Sequence, residues 1–304
     1  MKRTTLSLLM MLSAICGWAQ TVGMEDNAAI DTLCMSKFTA VYNYSIRTLD
    51  HNGKEVLDTI LLAVQVGDGY WKCTPYQRVE NIRNSKTKYA NDAYDQEALM
   101  HIETIVSGYP KEMLTIHEAI APYCYEIVED KEAIKWTMND AEETVCDYEC
   151  KGASCTFRGK KWNVMYAEDI PTTAGPWKLN GLPGLITSAT DAEGIHSFTL
   201  VGLYNEALPI THEKYYVLYK FDPGSKSFGK TAIHYEKRTH KQMVALKKKT
   251  LGSRIYASNP QFFVPDLKAF GQIEYRYTST DRTKQINGTT VLDKAHKFQP
   301  LELK

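Results

Sequence analysis

After its first twenty positions the chain has no apolar run approaching the ~18 residues of a membrane-spanning helix, which excludes a transmembrane segment there. Neither sign of charge is in excess: 36 Lys and Arg face 36 Asp and Glu, which excludes the polybasic footprint of a nucleic-acid partner. Signatures of catalysis are missing as well. His117-Glu118 and His212-Glu213 invite the His-Glu-x-x-His test, but Ala121 and Tyr216 stand where the second histidines belong, so neither completes a zinc-hydrolase motif. No Gly-x-Ser-x-Gly elbow or Cys-x-x-Cys pair occurs, and Gly67-Asp68-Gly69 lacks the third glycine of a dinucleotide fingerprint. No cofactor and no catalytic residue follows from motifs. Fixed-period repeats and low-complexity linkers are absent too, leaving one compact domain as the simplest partition.

What is present describes a folded, exported protein. With 304 residues, 43% hydrophobic, there is ample chain for a core. Lys2 and Arg3, an apolar Leu6 to Cys16 and the small residues before Gln20 read as a signal peptide over 1–19, favoured over a lipid-bearing Cys16. Residues 20–35 form a polar, flexible lead-in, and 36–304 form the domain. An oxidising compartment makes disulfides the default for Cys34, Cys73, Cys124, Cys146, Cys150 and Cys155, with 15 pairings open. A zinc knuckle from Cys146, Cys150 and Cys155 lacks a second pair and is disfavoured, so no metal is assigned.

Nineteen tyrosines against nine phenylalanines and five tryptophans suit half-buried sheet surfaces. Phe38 to Arg47 alternates as a strand, Asn52-Gly53 supplies a turn, and strands follow over Asp58 to Val66 and Gly69 to Tyr76. Helical spacing predicts a helix over Asn91 to Val106. Met113 to Ile116, Tyr123 to Val128 and Ile134 to Met138 read as short strands. Cys150 and Cys155 flank Lys151 to Ser154 as a hairpin loop that sets the two sulfurs opposite each other. Leu185 to Thr190 and Ile195 to Leu203 form a hairpin around Asp191 to Gly194, and Tyr215 to Tyr219 is a further strand. Thr239 to Leu251 is a helix whose Lys247-Lys248-Lys249 reads as a solvated end, in preference to an anionic lipid or polysaccharide contact. Gln272 to Thr278 and Thr289 to Leu292 pair around Asn287-Gly288. The fold class is a β-rich α+β, one curved antiparallel sheet with a few packed helices.

Two polar groupings stay on the surface by this reading. Asp140, Glu142, Glu143 and Asp147 miss the spacing of a calcium loop and form a solvated face; His234 and His240 are surface residues rather than a shared metal pair.

One stretch carries more information. Gly181-Leu182-Pro183-Gly184-Leu185-Ile186 is preceded by Tyr148 and Cys150, Phe157-Arg158-Gly159-Lys160, Trp162, Tyr166, Ile170-Pro171, Gly175-Pro176 and Lys178, and the chain closes on Pro300-Leu301-Glu302-Leu303. On these residues the protein resembles the GLPGLI family of secreted Bacteroidetes proteins, departing from it by the added Cys146 and Cys155 and by Lys160 and Trp177. The resemblance implies an envelope location and a domain also found as an accessory N-terminal module of a glycan-releasing amidase, with no catalytic residues to transfer. It implies a half-barrel-like sheet similar to that of bacterial lipoprotein carriers. Physically, Pro183 and Gly184 suit a type II turn anchored by Leu182, Leu185 and Ile186, a structural corner favoured over a lid. The expectation is a non-enzymatic periplasmic or secreted module holding an envelope lipid, peptide or protein partner on a concave aromatic sheet. The alternative is an envelope hydrolase whose site assembles only in three dimensions.

Overall fold

The computed structural model describes residues 30–49, 55–85, 103–120, 123–222, 227–250, 273–277, 282–286, 289–293, 300–302 and 304. β1 (Ile30–Leu49), β2 (Glu55–Gly67) and β3 (Trp71–Pro75) lead into helix α1 (Tyr76–Ser85). β4 (Thr104–Ser107), β5 (Met113–Ile120) and β6 (Tyr123–Asp130) follow, then β7 (Thr137–Val145), β8 (Tyr148–Phe157) and β9 (Lys160–Ala167). After an irregular segment come β10 (Leu185–Asp191), β11 (His196–Tyr204), β12 (Pro209–Glu213), β13 (Tyr215–Asp222), β14 (Ser227–His234) and β15 (Glu236–Lys237). Helix α2 (His240–Thr250) precedes β16 (Ile273–Tyr277), β17 (Arg282–Ile286) and β18 (Thr289–Asp293).

Thirteen strands make one sheet, ordered β15-β6-β5-β4-β3-β2-β1-β11-β10-β9-β8-β7, with β12 paired to the start of β1. Every pairing in it is antiparallel except the short β15 on β6. The sheet is curved and unclosed, and the fold is β-rich α+β. β13 and β14 form a separate ribbon, as do β16, β17 and β18.

Period-two alternation divides the sheet into two faces. On β1, Ala40, Tyr42, Tyr44 and Ile46 enter the main core, joined by Leu62, Val64 and Val66 of β2 and by Trp162, Val164 and Tyr166 of β9. Each fully buried side chain of this size is worth about 1.5–3 kcal/mol. The opposite face buries the register partners Val41 and Ala63. α1 lies on this second face, in contact with β2 and β3 through a side that buries Val79 and Ile82.

Several expectations change. β1 begins at Ile30, inside the stretch read as a lead-in, because its first residues pair with β12. Thr104 to Ser107 is a strand, so the expected Asn91 to Val106 helix does not reach its end there; 91–102 lie outside the described residues, as do 1–29 and the Asn52-Gly53 turn. Cys150 and Cys155 do not flank a hairpin. β8 runs straight through both, and the turn is Cys146-Asp147, two residues at φ 48° and 67° joining β7 to β8. The expected pair at 272–292 has β17 between its members. Ile134 to Trp136 is irregular, the strand starting at Thr137. Among the described residues no helix is long and apolar enough to cross a membrane.

Candidate functional site

Residues 168–184 connect β9 to β10 across the core face. Trp177, at φ 55°, is fully buried and packs 5.7 Å from both Phe157 and Trp162, between ring centroids. Gly181 N donates to Thr173 O at 2.9 Å and Trp136 Nε1 to Asn180 O at 3.0 Å, fastening the segment at its far end. Leu182, Leu185 and Ile186 are buried, and Tyr42 Oη donates to Ile186 O at 2.7 Å. The type II turn does not form: Gly181 carries the positive φ, at 98°, whereas Gly184 is outside the left-handed region. Gly184 is needed for another reason, since a Cβ there would stand 2.2 Å from Ala167 O. Gly175, before Pro176, is pressed the same way against Leu179 O, at 2.6 Å. Trp177 thus covers the part of the aromatic face formed by Phe157 and Trp162.

Beneath this segment lies a buried charge cluster that sequence reasoning missed. Lys178 Nζ donates to Glu302 Oε1 at 2.8 Å and stands 3.0 Å from Glu129 Oε1. Lys247, read from sequence as part of a solvated helix end, is fully buried and reaches Glu103 at 2.7 Å, Glu118 at 2.9 Å and Glu302 at 3.2 Å. One turn of α2 carries it inward beside Met243 while Lys248 and Lys249 face solvent. Arg158 meets Glu129 at 3.0 Å, His240 Nδ1 meets Glu129 at 2.9 Å, and Trp177 Nε1 donates to Glu103 at 2.6 Å. Burial alone would raise Glu302, but Lys178 and Lys247 outweigh it and hold its carboxyl far below the usual range. Burial dominates at Glu118, with Glu103 adding to it, and lifts that carboxyl to about 7 against the pull of Lys247. Hydrogen bonding to Glu129 raises His240. Arg158, Lys178 and Glu302, from three separate parts of the GLPGLI-like pattern, thus share one buried network.

A second polar group occupies the other face. His117 and Glu126 are register partners on β5 and β6, and β12 brings His212 over them. Both imidazoles aim at one oxygen: Glu126 Oε2 lies 3.2 Å from His117 Nε2 and 3.4 Å from His212 Nε2. Hydrogen bonds from the two histidines hold Glu126 well below the ordinary carboxylate range, and burial lowers His117. Tyr235 stacks on His117 at 3.8 Å and Tyr109 tilts against His212 at 4.6 Å. The two His-Glu pairs of the sequence are thereby sorted. Their histidines converge, while Glu118 turns to Lys247 on the core face and Glu213 pairs with Lys72 at 2.5 Å. Lys72 and Arg78 outweigh burial at Glu213 and lower it to about 2.

Similarity to known proteins is slight. No family model matches the chain, and no curated protein does. Two solved structures of PNGF-II, in P21 and C2 crystal forms, are similar at 11% and 12% identity, with TM-scores of 0.41 and 0.39. They cover 69% and 68% of this chain and 33% and 32% of their own, so the chain spans about a third of their length.

The other candidate residues disperse. Among the described residues the six candidate cysteines form no disulfide, correcting the disulfide expectation: Cys150 and Cys155 lie along one strand, Cys73 is buried under Trp177 N at 3.3 Å, and Cys146 is exposed at its turn donating to Leu200 O. Asp140, Glu142, Glu143 and Asp147 are exposed, and His234 and His240 do not meet, since His240 belongs to the core network.

Proposed function

We propose that the protein is a non-enzymatic envelope module that binds a peptide or protein partner. The observation that carries this reading is the saturation of the core-face cluster. Its lysines, arginine and carboxylates neutralise one another in the interior, as a structural network does, instead of facing a cleft. Trp177 packs on Phe157 and Trp162 of the aromatic face, and the partner surface of this reading is the opposite face of β2, β1 and β11. There Leu57 and Leu61 are 60% and 45% exposed, and Val201 and Tyr204 51% and 47%. The resemblance to secreted proteins and the signal-like stretch over 1–19 support the envelope setting.

A hydrolase is the second reading, favoured by one observation: Glu118, at about 7, has the pKa of a general acid. Native mass spectrometry of the protein purified from its own envelope separates the two. The binding module retains a peptide or protein, and L57S/L61S releases it with the melting temperature almost unchanged. Equal retention by that variant, or turnover of an envelope peptide or glycan that Glu118→Gln abolishes, overturns the proposal.

A further inference from the structure

We propose that His117, Glu126 and His212 form a binding site for a divalent transition-metal ion of the zinc class. The three donors lie within 4.8 Å of one another, two from the β5–β6 hairpin and one from β12. A tetrahedral ion with bonds of ~2.0–2.1 Å needs donors about 3.3–3.5 Å apart; the two edges from Glu126 Oε2 to the Nε2 atoms, 3.2 and 3.4 Å, are near that spacing, and the edge between the histidines is within 4.8 Å. Two neutral imidazoles and one carboxylate also form a donor set that zinc takes with a fourth position left open.

Local charge favours a cation. Glu126 brings the anionic donor, facing both Nε2 atoms. Glu213, next along β12, is neutralised by Lys72, and Asp31 by Lys214 at 2.8 Å. The lysine beside Glu126 itself, Lys237 at 3.7 Å, is 86% exposed and free to turn away. The Glu126 side chain is 12% exposed, so the site opens to water on one side. Packing orients the donors: Tyr235 lies on His117 and Tyr109 on His212. Bound metal would tie β12 to β5 and β6, which the sheet order keeps apart. This site is independent of the surface proposed for a partner.

The test is titration of the reduced, chelator-treated protein with zinc by calorimetry and with cobalt by visible absorption. One equivalent of each is expected, with a tetrahedral cobalt spectrum lacking a thiolate charge-transfer band. His212→Gln and Glu126→Gln should each weaken zinc by more than about tenfold, and zinc should raise the melting temperature of the wild type but not of the variants. Absence of binding, equal affinity in folded variants, or a thiolate band assigning the metal to cysteines would overturn the proposal. Should a variant fail to fold, the wild-type cobalt spectrum decides alone.

Discussion

Neighbouring residues in a strand live on different sides of the molecule, and His117-Glu118 is a case in point. His117 faces the polar group under β12, whereas Glu118 enters the core network beside Lys247. The buried carboxyls there respond to pH with opposite signs. Glu118 has a folded pKa of about 7, above the ordinary 4.5 of a glutamate. Its contribution to stability is whole below pH 4.5 and is lost as pH rises through about 7. Glu302 is lowered by Lys178 and Lys247, so its contribution is whole above 4.5 and is lost in acid. Melting curves should therefore show the wild type losing ground to Glu118→Gln between pH 4.5 and 7, by several degrees. One pKa unit is about 1.4 kcal/mol, and a domain of this order moves about 2–4 °C per kcal/mol. Against Glu302→Gln the wild type should lose ground only as pH falls below 4.5. A pH-independent difference for Glu118→Gln would mean that its carboxyl titrates normally.

The segment between β9 and β10 is the element on which the fold turns, and its two terminal glycines do different work. Gly184→Ala drives a Cβ into the backbone at Ala167 and should cost about 1–3 kcal/mol in denaturant unfolding. Gly181→Asn keeps a residue tolerant of positive φ in open space, the nearest atom being Trp136 Nε1 at 3.7 Å, and should cost less than about 1 kcal/mol. A neutral Gly184→Ala would refute the close approach. At this scale the sequence was legible where a local rule sufficed. The β10–β11 hairpin and α2 stand where alternation, turn residues and helical spacing put them. The β8 reading failed because Lys151 to Ser154 has the composition of a turn, while Cys146-Asp147 adopts the turn conformation. Lys247 was unreadable because a lysine run at a helix end is normally solvated, and what buries this one comes from Glu103, Glu118 and Glu302. The His117, Glu126 and His212 group was hidden for the same reason: tertiary contact between strands far apart in the sheet order, not sequence spacing, assembles it. Its only trace in the sequence was the repeated His-Glu pair.

For the whole molecule, the core-face network is a junction. Glu118 and Glu129 bring the sheet to it, Lys178 the β9–β10 connection, Lys247 and His240 the helix α2, and Glu302 the C-terminal end. Breaking a buried pair by removing one partner costs about 3–5 kcal/mol, because the other charge stays behind. That cooperative, structural role sets the network apart from a catalytic site, since a catalytic acid would leave the scaffold indifferent to its removal. Hydrogen exchange of the Glu302→Gln variant distinguishes the two. Protection should fall together in 170–184 and 240–250, far from the substitution in sequence. A change confined to 300–304, with both of those segments as protected as in the wild type, would mean that the network does not couple them.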